Sequence, residues 1–181
     1  MMILSNEQID ALVKKAQSGN REAFGKLYDV FLHPIYKYVS FRIPQQEMAE
    51  DITSDIFFKV LKKLHTYGKK TNMPFSAWLF RIAKNTIIDF YRKQKPLEEI
   101  PEDFFDVNMH TEREVEHTFL KKRILKAMKR LPETQSHAIA LKYFSERTNR
   151  EIADILGKSE TAVRILLSRG LKKLADILEK E

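Results

Sequence analysis

Between Thr148 and Gly170 the chain reads TNREIADILGKSETAVRILLSRG, a spacing that admits one local architecture: two short helices joined by a tight turn. With Asn149 as the first residue of the first helix, small Ala153 falls fifth, where the second helix must cross closely. Gly157 falls ninth, where the chain needs a left-handed residue that a side chain would resist. Val163 and Leu166, fifteenth and eighteenth, join Ile152 and Leu156 in a miniature core that neither helix could form alone. Thr148 with Glu151 makes a capping box, and Ser159 can cap the second helix. The pattern is a helix-turn-helix. Its second helix leaves Glu160, Thr161, Arg164, Ile165, Ser168 and Arg169 on a free outer face, followed by Lys172 and Lys173. That face fits a DNA major groove; the plain alternative is a helical hairpin with a solvated basic side.

Charge supports the first of these. The net +7 divides into +7 over residues 1–95, −7 over 96–119 and +7 over 120–181. Two basic blocks therefore flank an acidic connector, and basic blocks suit a polyanion bound through phosphate contacts and counterion release. The chain has no cysteine, which removes disulfides and thiolate zinc sites and fits a reducing cytoplasm. The first residues lack a basic leader, and no apolar run approaches the roughly 18 residues of a membrane span, so neither export nor membrane insertion is expected. No cofactor is called for.

The hydrophobic periodicity is helical throughout, which predicts an all-α chain. Ser5 and Gln8 form a capping box before Ile9, Leu12, Val13 and Ala16. A second helix starts at Asn20 with Ala23, Phe24, Leu27, Tyr28 and Phe31 inward, and Pro34 interrupts or bends it before Ile35, Tyr38 and Val39 resume. Pro44 marks a break, and Gln46 to His65 carries Ala49, Ile52, Ile56, Val60 and Leu64 inward. Tyr67 to Pro74 is a loop, and Phe75 to Lys93 is a helix with Trp78, Leu79, Ile82, Ala83 and Ile87 on its apolar side. The acidic, proline-bearing stretch after Lys95 is a linker. Thr111 and Glu114 cap a helix running to Leu131, and Pro132 starts another that ends near Phe144. The expected layout is one helical domain at 1–95, an acidic linker at 96–111, and a helix-turn-helix domain at 112–181.

Taken together, AFGKLYDVFLHPIYKYV (23–39), AEDITSDIFFKVLKKL (49–64), FSAWLFRIAKNTIIDFYRKQK (75–95) and the segment 125–174 resemble a bacterial extracytoplasmic-function (ECF) sigma factor, in both domains and in their order. The resemblance implies a transcription initiation factor that joins core RNA polymerase, directs it to promoters and helps melt the minus-ten element, without catalysing a reaction itself. The implied partners are core polymerase and promoter DNA, both duplex and single-stranded. An anti-sigma protein is left open.

The resemblance also assigns residues. Asp51, Ser54, Asp55 and Phe57 match the family's D-x-x-Q-E-x-F segment, which docks on the polymerase; Ser54 departs from the usual glutamine. Helical spacing puts Asp51 and Asp55 on one face, suited to a partner protein. Lys69, Lys70, Thr71 and Asn72, with Met73 and Pro74, stand where the family captures a flipped base, and Asn72 offers a donor and an acceptor. Arg81, Lys84, Asn85, Arg92 and Lys93 would contact melting DNA, while Asp89 would pair with a basic neighbour. Lys142, Thr161, Arg164, Ser168 and Arg169 would serve the minus-thirty-five element. Ile165-Leu166 replaces a Ser-Arg pair common in the family, which suggests a different or looser preference there, or an Ile165 that reads a thymine methyl. The acidic linker would thread a cationic channel of the polymerase or act as a plain tether.

Two other classes remain in view. An operator-binding regulator would explain 148–174 but leave the 49–95 block without a purpose. A metal-dependent phosphohydrolase would use Glu47, Glu50, Asp51 and Asp55, yet no glycine-rich phosphate loop accompanies them.

Overall fold

A computed structural model describes residues 4–43, 45–68, 73–93, 120 and 123–180, among which there is no strand. The expected base-capture residues 69–72, the break at Pro44, the acidic connector and the Thr111/Glu114 cap lie outside the described residues. Helix α1, Asn6–Gln17, starts from the expected reciprocal cap: Gln8 N–H donates to Ser5 Oγ, and Ser5 N–H donates to Gln8 Oε1. Helix α2, Arg21–Arg42, is capped by Asn20, whose Oδ1 accepts from the Ala23 N–H at 2.9 Å.

Pro34 does not interrupt α2, which runs through it as one helix. The proline removes one backbone donor, but Leu27, Phe31, Ile35, Tyr38 and Val39 are buried on both sides of it. Packing along that stripe outweighs the local loss. Helix α3, Gln46–Lys63, and α4, Phe75–Lys93, complete the N-terminal bundle, with a short 3-10 turn at Leu64–Thr66 after α3. Ala49, Ile56 and Val60 from α3, with Leu64 from the turn after it, are buried with Leu79, Ala83 and Ile87 from α4, as the periodicity requires.

The C-terminal domain contains helix α5 at residues 123–129, α6 at Glu133–Ile139, α7 at Asn149–Leu156 and α8 at Glu160–Leu178. The helix expected from Pro132 to Phe144 changes character midway, because Ala140–Phe144 widens into a π turn. Glu146 follows at φ 54°, in the left-handed region that a side chain resists. Where α8 crosses α6 the contact is through Gly170: a Cβ there would meet Ile139 Cδ1 at 3.0 Å and Gln135 Cβ at 3.2 Å. An alanine there would require Ile139 and Gln135 to give way by a few tenths of an ångström.

The two domains touch. Tyr38 on α2 reaches His137 on α6, Phe41 stacks on Phe144 at a ring separation of 3.4 Å, and α4 packs along α7. No helix among the described residues is long and apolar enough to cross a membrane.

Candidate nucleic-acid interface

The turn between α7 and α8 forms as its spacing demands. Gly157 is left-handed at φ 65°, the Thr148–Glu151 capping box is complete, and Ser159 Oγ accepts from the Ala162 N–H at 3.2 Å. Ile152 and Val163 are fully buried between the helices, while Leu156 and Leu166 are half-buried. Ile155 and Leu167 join that core in their place. The result is a rigid base for one outer face, on which Thr161, Arg164, Ile165, Ser168 and Arg169 are all exposed. Among the described residues Arg164 pairs with Glu160, at 3.9 Å on an exposed surface, a pairing too weak to hold it back from a ligand. Lys172 and Lys173 extend the cationic face along α8. Lys142 stands apart, half-buried on the π turn.

Helix α4 presents its basic residues differently. Arg81, Asn85 and Arg92 are exposed along one side, and Asp89 pairs with Arg92 at 3.8 Å. Lys84 is half-buried toward the C-terminal domain. That burial, with Arg81 and Lys158 nearby, lowers its pKa against the opposing pull of Glu133. The loop before α4 is anchored at both ends: Tyr67 packs against Phe75 and Trp78, and its hydroxyl donates to the Met73 carbonyl at 2.9 Å. Gln17 ties α1 to the same place by donating to the carbonyls of Leu64 and Tyr67. Trp78 is thus half-buried in an aromatic cluster, as expected of a core residue. Between α1 and these anchors lies a cleft of about 420 Å³ that includes Asp10, Lys14, Tyr67 and Ser76, a size suited to a small planar ligand.

The outer face of α3 requires a correction. Phe57 is 6% exposed and packs its ring 4.7 Å from Tyr28, so it belongs to the core and cannot greet a partner. The exposed aromatic is its neighbour. Phe58 is 55% exposed with Lys62 above its ring at 4.2 Å, and Leu61 is also exposed. Spacings of three, four and seven residues align Asp51, Ser54, Asp55, Phe58 and Leu61 along one side of the helix. Asp51 and Ser54 are exposed; Asp55 is half-buried and bound to Lys59 at 2.7 Å. Ser54 turns its hydroxyl back onto the Glu50 carbonyl. Motif matching stopped at Phe57, whereas carrying the Asp51–Asp55 side one further turn would have found Phe58. The carboxylates weighed for a metal site do not converge: no group of three potential ligands occurs among the described residues.

Residues 27–96 match the sigma-70 region 2 family, and residues 121–174 match the sigma-70 region 4 family. The ECF RNA polymerase sigma factor BldN of Streptomyces coelicolor is 32% identical over 172 residues, which cover 92% of this chain and 64% of BldN. The chain thus spans just under two thirds of that relative. The RNA polymerase sigma factor SigZ of Bacillus subtilis is 32% identical over 156 residues, covering 84% of this chain and 85% of SigZ. Among solved structures, CnrH in complex with the cytosolic domain of CnrY is similar with a TM-score of 0.72 at 25% identity, covering 98% of this chain and 99% of CnrH.

Proposed function

This chain belongs to the extracytoplasmic-function family of RNA polymerase sigma factors, and from that membership we propose how its residues divide the work of directing core polymerase to promoters and opening them. The observation that carries the assignment is the uninterrupted exposed face of α8. Arg164 and Arg169 read or clamp the minus-thirty-five element, since a guanidinium can meet a guanine edge or a phosphate with two bonds. Thr161 and Ser168 add hydrogen bonds beside them. Ile165, 46% exposed between these polar groups, takes a thymine methyl. Lys142 holds a phosphate from outside this face.

The N-terminal domain, which we take as residues 1–95, carries the minus-ten work. Arg81, Asn85 and Arg92 hold the upstream edge of the melting duplex, and Lys84 joins them when its side of α4 is clear. The cleft between α1 and the Tyr67 cluster receives a single unstacked base, and Lys69, Lys70, Thr71 and Asn72 serve its capture. Asp51, Ser54, Asp55 and Phe58 form the polymerase-docking face, its acids giving orientation and its aromatic giving buried area. Residues 96–111 link this domain to the DNA-binding domain at 112–181. The factor works in the cytoplasm beside the polymerase and has no reaction of its own. An anti-sigma protein is a further proposed partner: CnrH, to which this chain is similar, is solved in complex with the cytosolic domain of a second protein, CnrY.

Replacing Asp51 and Asp55 together with alanine tests the docking face in a core-polymerase pull-down. Release from core, with the melting temperature kept, is expected. Unchanged retention would dismiss the face.

A further inference from the structure

One cleft shares no residue with α8, with α3 or with the pocket beside α1. About 640 Å³ in volume, it lies where the ends of α2 and α4 meet α5 and the start of α6. Its floor is apolar: Phe41, Leu125, Met128 and Leu131 are nearly buried, and half-buried Ile88 completes it. Its rim is lopsided in charge. Arg42, Arg92 and Lys129 line it against a single carboxylate, Glu133, among the described residues.

Two of these cations lack the partners that a desolvated charge needs. Arg42 Nη1 donates to the Ser136 hydroxyl, but its Nε–H is buried with no acceptor among the described residues. A guanidinium has five donors to satisfy, and one acceptor leaves it well short. Lys129 stands at the exposed rim, yet the protein around its ammonium lowers its pKa, and no neighbouring charge among the described residues offsets that burial. Arg92 differs in having Asp89 beside it, at 3.8 Å on an exposed surface. Tyr91 braces the site: its hydroxyl donates to the Arg42 carbonyl, and the Arg42 guanidinium lies 6.0 Å from its ring centre.

An apolar floor beneath under-satisfied cations suits one kind of guest. Inorganic phosphate or a nucleic-acid backbone would answer the cations and leave the floor uncovered. A neutral hydrocarbon would cover the floor and leave the cations desolvated. A small amphipathic anion does both, and clefts of roughly 300–1,000 Å³ are the size that holds such molecules. A carboxylate head is matched to a guanidinium, which it can meet with two parallel hydrogen bonds.

We propose that this cleft is a binding site for a small amphipathic carboxylate, its head met by Arg42 and Lys129 and its hydrocarbon body laid on Phe41, Met128 and Leu131. Arg92 forms part of the same wall, so an occupied cleft draws a guanidinium away from the melting duplex. That consequence rests on the promoter reading above, whereas the site itself does not.

Methionine methyl groups test the site directly. Met128 lies in the cleft, while Met73 lines the separate pocket beside α1 and serves as the internal control. The full chain, labelled at its methionine methyls, is titrated with octanoate and followed by NMR. The Met128 signal, assigned through Met128→Leu, should move and saturate while Met73 stays in place. Arg42→Gln and Lys129→Gln, each checked for helix content and melting, should raise the half-saturating concentration about fivefold. Octanol and sodium phosphate at matched concentrations should leave Met128 unmoved. Octanoate should also raise, by about threefold, the factor concentration needed for half-maximal promoter complex with core polymerase, and Lys129→Gln should blunt that rise. An unmoved Met128, a Met73 that moves with it, or the same titration in both variants overturns the site. An equal response to octanol or to phosphate overturns the amphipathic carboxylate as its ligand. Saturable binding with unchanged half-saturation overturns the effect on promoters. Failure of the parent chain to form any promoter complex without octanoate would count against the promoter reading, while the methyl titration still judges the site.

Discussion

Helices α4 and α8 are both 19 residues long and both carry exposed arginines, yet they are presented in opposite ways. The N-terminal half of α8 stands clear, so Thr161, Arg164, Ile165, Ser168 and Arg169 are all exposed. Helix α4 has solvent on one side, the bundle core on another and α7 on a third. Its cations are accordingly divided between exposed Arg81 and Arg92 and half-buried Lys84. The comparison teaches that a recognition helix built on a small local core can be read residue by residue. A helix shared between two domains has its availability decided by a neighbour distant in sequence.

The same contrast runs through α3, and it yields the largest expected effect. Phe57→Ala should remove about 3–5 kcal/mol of stability by emptying the space beside Tyr28, seen as a large fall in melting temperature. Phe58→Ala should leave melting within about 0.5 kcal/mol but weaken core-polymerase binding about tenfold, as loss of an interface anchor does. Reversal of the two outcomes would exchange their roles. Next in size, Arg164→Ala should cost about 1–3 kcal/mol in promoter selection while leaving assembly with core intact. Equal loss of both, measured by promoter binding and pull-down, would remove the helix from DNA recognition.

The domain contact predicts a pH effect with a definite sign. His137 has a folded pKa of about 3 against an ordinary value of 6.5, so the closed state binds fewer protons than an opened or unfolded one between those values. Its neutral form is fully compatible with the closed state above pH 6.5. The closed state then loses stability as pH falls below 6.5, by about 1.4 kcal/mol at pH 5.5. Tyr38, Arg42, Lys84 and Glu133 are the other charged or titratable groups facing it. A His137→Gln chain should lose this component of the pH dependence in urea titrations, and an identical slope would contradict it. The smallest change is Gly157→Ala, which forces a side chain into the left-handed turn at a cost of about 1 kcal/mol. Its readout is a modest fall in melting temperature, and none at all would mean that the turn relaxes freely.

The helix-turn-helix was legible because everything that specifies it is local: two caps, one left-handed glycine and apolar positions within 23 residues of chain. The four N-terminal helices were legible for the same reason, as their inward stripes are long and regular. Of the two outcomes open at Pro34, an interruption or a bend, the interruption does not occur, because the buried stripe of α2 on either side kept the helix whole. Phe57 misled because adjacent residues on a helix point about 100° apart, so a motif that names one aromatic does not say which of two reaches solvent. The Tyr38–His137 contact had no sequence signal at all. Its partners are 99 residues apart and lie in segments that read as separate modules. The π turn was equally silent, since it answers to packing and not to any residue preference.

The account is tested most directly by run-off transcription with core polymerase, this chain and a library of randomised promoters. The prediction is transcription from sequences enriched in two separated elements, with Arg164→Ala blurring the upstream element alone. Transcripts no more numerous or selective than those of core polymerase alone would contradict it.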